Sequence, residues 1–460
     1  MSLLKAAEFR ESPFQTYWNT GTMFDIHTGV FVPGTHGGMV LNGGLSSSNA
    51  FMGRPQMFKS TEMLSYVVRA MGLYPGSECM IDDTEYSLKK SRIIQFSPFN
   101  NHADLDPRII ITTPEVTSAE EFVAWIKEVG EAKLKEREKY TVQSMILDPK
   151  TGKPQRILLP TFVGIDSWSK LSSQSMQATF DTQVLGSSAT NMVYMRDGNI
   201  KKMIMTQIPM LAAKYGMVFF VSAHVGEKYE LNPYAQSPKV LQHMKSTEKP
   251  KEVGADFNFL ISNSIEMRAV SLLRNPDKDD ALYPTEGSSS VELNEVTSIL
   301  VRCKNCPSGS QLPMVVSQHQ GILSELSNYH YLRENKYFGL LGNQVTHKPA
   351  MTDVAVGRTK IREKLVNPEV ARALEILAQM CYINENWSTV GAEVDYTMKP
   401  EVLAEKLLTS DTATTKDILQ SRGYWTYDKE NKQPYMSTYD VLAIAQGIYK
   451  SKLHGVKLAA

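Results

Sequence analysis

From residue 59 to residue 224, runs with helical period alternate with apolar runs of strand length. Helical KSTEMLSYVVRAMGLYPG is followed by apolar ECMIDD, helical SAEEFVAWIKEVGEAKLKEREK, apolar RILLPTFVGIDS, helical IKKMIMTQIPMLAAKYG and apolar MVFFVSAH. Consecutive parallel strands need a long crossover, usually a helix, so this alternation restricts the region to an α/β fold: a mostly parallel central sheet covered on both faces. In the first helix Met63, Leu64, Val67, Val68 and Met71 recur at helical spacing, and Gly72, Pro75 and Gly76 end the pattern. The stretch just before it, GRPQMFKSTE at 53–62, is therefore a loop that opens a helix.

Further strands are expected at ADFNFLIS, IEMRAVSLL, EVTSILVRC and QLPMVVSQ, continuing the sheet at one end. Beyond about residue 360 the texture turns helical, in NPEVARALEILAQMCYI, KPEVLAEKLL and STYDVLAIAQGIYKSKL. The expected organisation is a short N-terminal arm at 1–22, an α/β core at 23–355 and a small helical C-terminal domain at 356–460.

With 49 basic and 49 acidic residues in 460, no global field draws the chain to polyanions, so any such site is local. The longest purely apolar run, near Met217–Val221, is too short to span a bilayer. Four cysteines and no signal-like segment after Met1 lead to the expectation of a reducing, cytoplasmic compartment.

The loop is close to the phosphate-binding pattern G-x-x-x-x-G-K-[ST]. Gly53, Lys59 and Ser60 stand at the right offsets, but Phe58 occupies the place of the second glycine. Such a loop surrounds an anion with backbone N–H groups and a helix N-terminus, Lys59 reaches the terminal phosphates and Ser60 ligates magnesium. Three later features fit the same chemistry. ECMIDDTEYS brings Asp83 and Glu85 to a strand end, where a general base orients water. TFVGIDSWSKL closes an apolar strand with Asp166, a magnesium ligand through water, with Ser167 beside it. FFVSAH ends a third with His224, at the position of a γ-phosphate sensor. Taken singly, a strand-end aspartate is commonly a turn residue and a histidine there a satisfied loop group; their order and spacing carry the reading.

On these residues the chain resembles a RecA-class recombinase, closest to the UvsX-type recombinases of large phages, whose loops also carry phenylalanine before the lysine. DDTE at 82–85, DPRIIITTPEVTSAEEF at 106–122, VGIDSWSKL at 163–171 and VSAH at 221–224 add to the resemblance, which runs from about Met23 to Phe338. It implies a RecA-like core that binds ATP and magnesium. The nucleotide would lie against Gly53, Arg54, Pro55, Gln56, Met57, Phe58, Lys59, Ser60 and Thr61, with Ser60 and Asp166 on the metal. Glu85 would activate water and His224 would sense the nucleotide. RCKNCP at 302–307 matches the family's basic strand end, making Lys304 the cation that completes a neighbour's site; where relatives carry a second base, this chain has Cys306.

The resemblance also implies helical filaments of the chain on single-stranded DNA, pairing with double-stranded DNA, and help from a single-strand-binding protein and a loader. The compartment would be the host cytoplasm if a phage encodes the chain. Two polar loops would contact DNA: 172–198, with Arg196, and 225–256, with Lys228, Lys239 and Lys245. A ring-forming helicase of the same core and a non-hydrolysing recombination mediator are the alternatives. CKNC at 303–306 has the spacing of zinc or redox pairs, but Cys79 and Cys381 stand far off in sequence, and neither role is expected.

Overall fold

The computed structural model describes residues 16–449 except 100, 113–117, 183–187, 228–247, 252, 254–256, 278–279, 288, 343–346, 388–392, 410–411 and 428–430. A small antiparallel pair, β1 (Val30–Pro33) and β2 (Met39–Asn42), precedes the first strand of the main sheet, β3 (Ser48–Gly53). There follow β4 (Glu78–Asp83), β5 (Ile109–Ile111), the hairpin β6 (Thr141–Leu147) and β7 (Pro154–Leu158), then β8 (Thr161–Asp166) and β9 (Met217–Glu227). The last strands are β10 (Glu248–Pro250), β11 (Asn263–Leu272), β12 (Leu293–Cys303), β13 (Gln311–Ser317) and β14 (Gly321–Ile322).

The main sheet has the order β5-β4-β8-β9-β3-β11-β12-β13-β14, with β10 paired to β9. The strands from β5 to β11 are all parallel, and β11 to β14 form an antiparallel meander. The fold is thus mixed α/β with a large, mostly parallel sheet. Because β3 lies between β9 and β11 while the chain crosses from it to β4, a crevice opens at the carboxyl ends of β3, β9, β8 and β4.

Successive side chains of a buried strand serve opposite faces. Phe51 of β3 and Phe220 of β9 join one apolar cluster, whereas Ala50, Met52, Phe219 and Val221 join the other. The second cluster is covered by helix Ala119–Lys135, which starts on a Ser118–Glu121 capping box, and by helix Ser188–Tyr215. Gly130 lets these two meet: a Cβ there would stand 2.4 Å from Cγ of Tyr215.

On the other face lies helix Lys59–Leu73. The cluster around it runs on through helices Ser324–Glu334 and Pro368–Asn386 to Trp425 and helix Thr438–Ala445. Polar ties follow the same path. Tyr427 N donates to the Leu73 carbonyl (3.1 Å), Met39 N donates to Asp440 (2.9 Å), and His36 Nε2 lies 3.2 Å from Asp440.

Four sequence expectations are corrected. Residues 16–22 are packed rather than arm-like: Tyr17 and Thr20 are fully buried, and Trp18 bridges to Leu45. The run ADFNFLIS contains a short helix, Phe257–Leu260, instead of a strand. RILLPTFVGIDS is two strands in different sheets, divided at Pro160, because proline lacks the N–H that a continuous ladder requires. The first expected DNA loop, 172–198, carries helix Gln174–Thr182 and the start of helix Ser188–Tyr215. Among the described residues, no helix is long and apolar enough to cross a membrane.

Candidate active site

β3 delivers Gly53 to the crevice, and the loop turns through two left-handed residues, Gln56 (φ 63°) and Phe58 (φ 59°), before the helix starts at Lys59. Left-handed backbone is a position for glycine. Phe58 holds it because its ring, with the Met57 side chain, packs against the apolar cluster beneath. The ring is therefore turned to the core and leaves the crevice open.

The Lys59 ammonium reaches back across the loop and donates to the Arg54 carbonyl at 3.0 Å. Burial lowers its pKa, while Asp166 and Glu85 oppose that fall. The lysine is thus within electrostatic reach of both carboxylates.

Asp166 ends β8 beside Asp83 of β4. It is buried and accepts a hydrogen bond from Ser222 of β9. Burial raises its pKa, hydrogen bonds from Ser222 and Ser60 hold it down, and Glu85 and Asp83 push it up further. The turn after β4 is pinned to the end of β8: Thr84 N donates to the Asp166 carbonyl (2.9 Å), and Ser167 N donates to Thr84 Oγ1 (2.8 Å). Asp83 caps the same turn, accepting from the N–H groups of Glu85 (3.2 Å) and Leu88 (2.7 Å).

Glu85 is left at the mouth of the site, where His224 Nε2 lies 3.7 Å from its Oε1. His224 stands beside Gly53 in the sheet, and its own N–H donates to Ser169 Oγ at 3.2 Å. β9 does not end at this histidine, as the sequence led us to expect; it continues to Glu227 as one arm of a hairpin with β10.

Ser60, Thr61, Glu85 and Asp166 line one cleft of about 450 Å³. Two carboxylates, Glu85 and Asp166, face it together with the Ser60 and Thr61 hydroxyls, an oxygen donor set that suits a divalent cation bridging to an anionic ligand. The structure therefore brings Lys59, Ser60, Thr61, Glu85, Asp166 and His224 together. Arg54 and Pro55 lie exposed on the loop, Arg54 with Glu227 at 3.8 Å.

Lys304 lies elsewhere. It follows β12, whose Cys303 pairs with Asn263 of β11, itself level with Asn49 at the start of β3. That is the opposite rim of the sheet, roughly 13 Å along the strand from Gly53. Its ammonium donates to the Leu260 carbonyl at 3.4 Å. Arg196 is exposed on helix Ser188–Tyr215, and Lys228, Lys239 and Lys245 lie outside the described residues. Sequence reasoning missed Ser222 and Thr84, which position Asp166 and Glu85. Both stand within the strand-end runs FFVSAH and DDTEYS, where a hydroxyl among apolar and acidic neighbours is the only signal.

No protein-family model matches the chain, and no curated protein matches it. Among solved structures, the crystal structure of the RadB recombinase overlaps it with a TM-score of 0.33 and 14% identity, over 61% of this chain and 92% of that one. An overlap that loose carries no inference about activity.

Proposed function

We propose that the chain is an ATP-hydrolysing recombinase of the RecA class and UvsX type, which polymerises on single-stranded DNA and drives pairing and strand exchange with duplex DNA. One observation carries the reading: Ser60, Glu85 and Asp166, delivered by three different strands, line a single cleft, with the Lys59 ammonium within electrostatic reach of both carboxylates. Gly53 to Thr61 would wrap the phosphates, with the Lys59 ammonium released from the Arg54 carbonyl to face them. Ser60 and Asp166 would hold magnesium, which neutralises phosphate charge when bound. Glu85 would orient the attacking water, and His224, beside it, would report on the nucleotide. Such chemistry is mostly positioning and charge neutralisation, which suits carboxylates fixed by a pinned turn.

Lys304, on the far rim, would complete the cleft of the next subunit. The core at 23–355 would carry both sites, and the helical region at 356–460 would pack on it. DNA would be held by Arg196 and by Lys228, Lys239 and Lys245, with a single-strand-binding protein and a loader assisting.

The test is ATP hydrolysis with and without single-stranded DNA, followed by electron microscopy with a slowly hydrolysed ATP analogue. DNA-stimulated hydrolysis and helical filaments are expected; closed rings would favour a helicase, and nucleotide binding without turnover a mediator. Lys59→Ala should lose ATP binding. Glu85→Gln should bind ATP and form filaments without turning over, and persistent hydrolysis would move the base elsewhere.

A further inference from the structure

Cys303 and Cys306 lie on the rim opposite the cleft. β12 ends at Cys303, and the chain bends so that the two thiols hydrogen-bond each other. The Cys303 sulfur also receives the backbone N–H groups of Asn305 (3.5 Å) and Cys306 and faces the Tyr17 hydroxyl at 3.8 Å, while its thiol is directed at the Asn263 Oδ1 (3.4 Å) and the Thr28 carbonyl (3.9 Å). The Cys306 thiol, with the N–H groups of Asn305 and Cys306, lowers the Cys303 pKa against the effect of burial. Cys303 and burial raise the pKa of Cys306, whose thiol donates to the His27 carbonyl at 3.3 Å. Both are partly exposed, whereas Cys79 and Cys381 are buried, which raises the pKa of each. Among the described residues no group of three or more His, Cys, Asp or Glu side chains converges to hold a metal.

We propose that Cys303 and Cys306 form a redox-active dithiol that exchanges with low-molecular-weight disulfides of the glutathione class. From the sequence alone neither a zinc nor a redox role was expected of this pair. Cys303 thiolate attacks one sulfur of the small disulfide, forming a mixed disulfide and releasing one thiolate, which takes up a proton. Cys306, on losing its proton, attacks the Cys303 sulfur, closes the intramolecular disulfide and expels the second small thiolate, which is protonated in turn. The protein loses two hydrogens and one small disulfide becomes two thiols. Lys304 and Asn305 lie inside the ring that closes.

The test is incubation of the full chain in mixtures of oxidised and reduced glutathione, then alkylation and peptide mass measurement. Wild type should yield a 303–306 disulfide with Cys79 and Cys381 alkylated only after unfolding. Cys306→Ser should accumulate a glutathione adduct on Cys303, and Cys303→Ser should carry none on Cys306 over the same interval. At neutral pH Cys303 should react with iodoacetamide at least about ten-fold faster than Cys306. Both thiols remaining reduced in oxidised glutathione, equal alkylation rates, or an adduct that Cys306 fails to resolve would each overturn the proposal. The readouts do not depend on ATP or DNA, so they stand apart from the test of function.

Discussion

Glu62, one turn into the helix that begins at Lys59, has no exposed surface. One carboxyl oxygen accepts from the Tyr66 hydroxyl at 3.1 Å and the other has no partner. Burial pushes its pKa from 4.5 up to about 8, against the opposing hydrogen bond from Tyr66. The folded value thus lies above the unfolded one. Below pH 4.5 both states hold the proton and the residue contributes nothing to the pH dependence. From there to about pH 8 the unfolded chain releases it and the folded chain does not, so stability falls with each pH unit and levels off above 8. At about 1.4 kcal/mol per unit, the folded state has lost about 3 kcal/mol by pH 7.

Glu62→Gln removes this titration while keeping an acceptor for Tyr66. Its amide N–H groups lack a partner, but that cost is the same at every pH, so the measurement is the slope and not the offset. At about 2 cal/mol/K per residue, the chain has an unfolding entropy near 1 kcal/mol/K, so the melting temperature of the variant should gain about 3 °C on wild type between pH 4.5 and pH 7. Scanning calorimetry of both proteins across that range reads the difference, in which every other titrating group cancels. Parallel curves would mean that the buried carboxylate is charged in the folded state, and the burial argument would fail.

Phe58 gives a second expectation. In left-handed backbone, alanine bears a cost of about 1–2 kcal/mol that glycine escapes, and glycine gives back about 0.4–1 through the unfolded chain. Phe58→Gly should therefore be more stable than Phe58→Ala by about 0.5–1 kcal/mol in urea unfolding, the reverse of their order at a helical site; the usual order would contradict the φ. Gly43→Ala would place a Cβ 1.8 Å from the Asp25 carbonyl oxygen. It should cost about 3 kcal/mol or more, read as a lower melting temperature, because only backbone movement can relieve it. If the β9–β10 hairpin carries DNA, Lys249→Ala should reduce the log–log salt slope of single-strand binding by about 0.7; an unaltered slope would mean no phosphate contact.

The parallel half of the sheet was legible because its strands are buried on both faces and read as unbroken apolar runs, as in MVFFVSAH. The strand that leads into the loop before Lys59 was not among them. SNAFMG begins with polar Ser48 and Asn49, which are buried here by hydrogen bonds to Ser262, Asn263 and the Phe219 carbonyl, partners more than 160 residues away. The two small hairpins were hidden for a similar reason, since short pairs have little apolar surface to pattern. At the site, residue types with a known task were legible, but the hydroxyls of Thr84 and Ser222 gain theirs only from three-dimensional neighbours. The helical content of 174–198 was masked by polar composition, since serine, threonine and glutamine are as common in loops as on solvated helices.

Placing the cleft on one rim of the sheet and Lys304 on the other gives the subunit a direction. If Lys304 completes the cleft of a neighbour, assembly through these opposite rims would be head to tail, and a polymer built that way would have unlike ends. A subunit lacking the lysine but keeping the cleft could still accept a neighbour at one end while failing to serve the one at the other. Mixed into a growing population at low ratio, it would stop extension in a single direction.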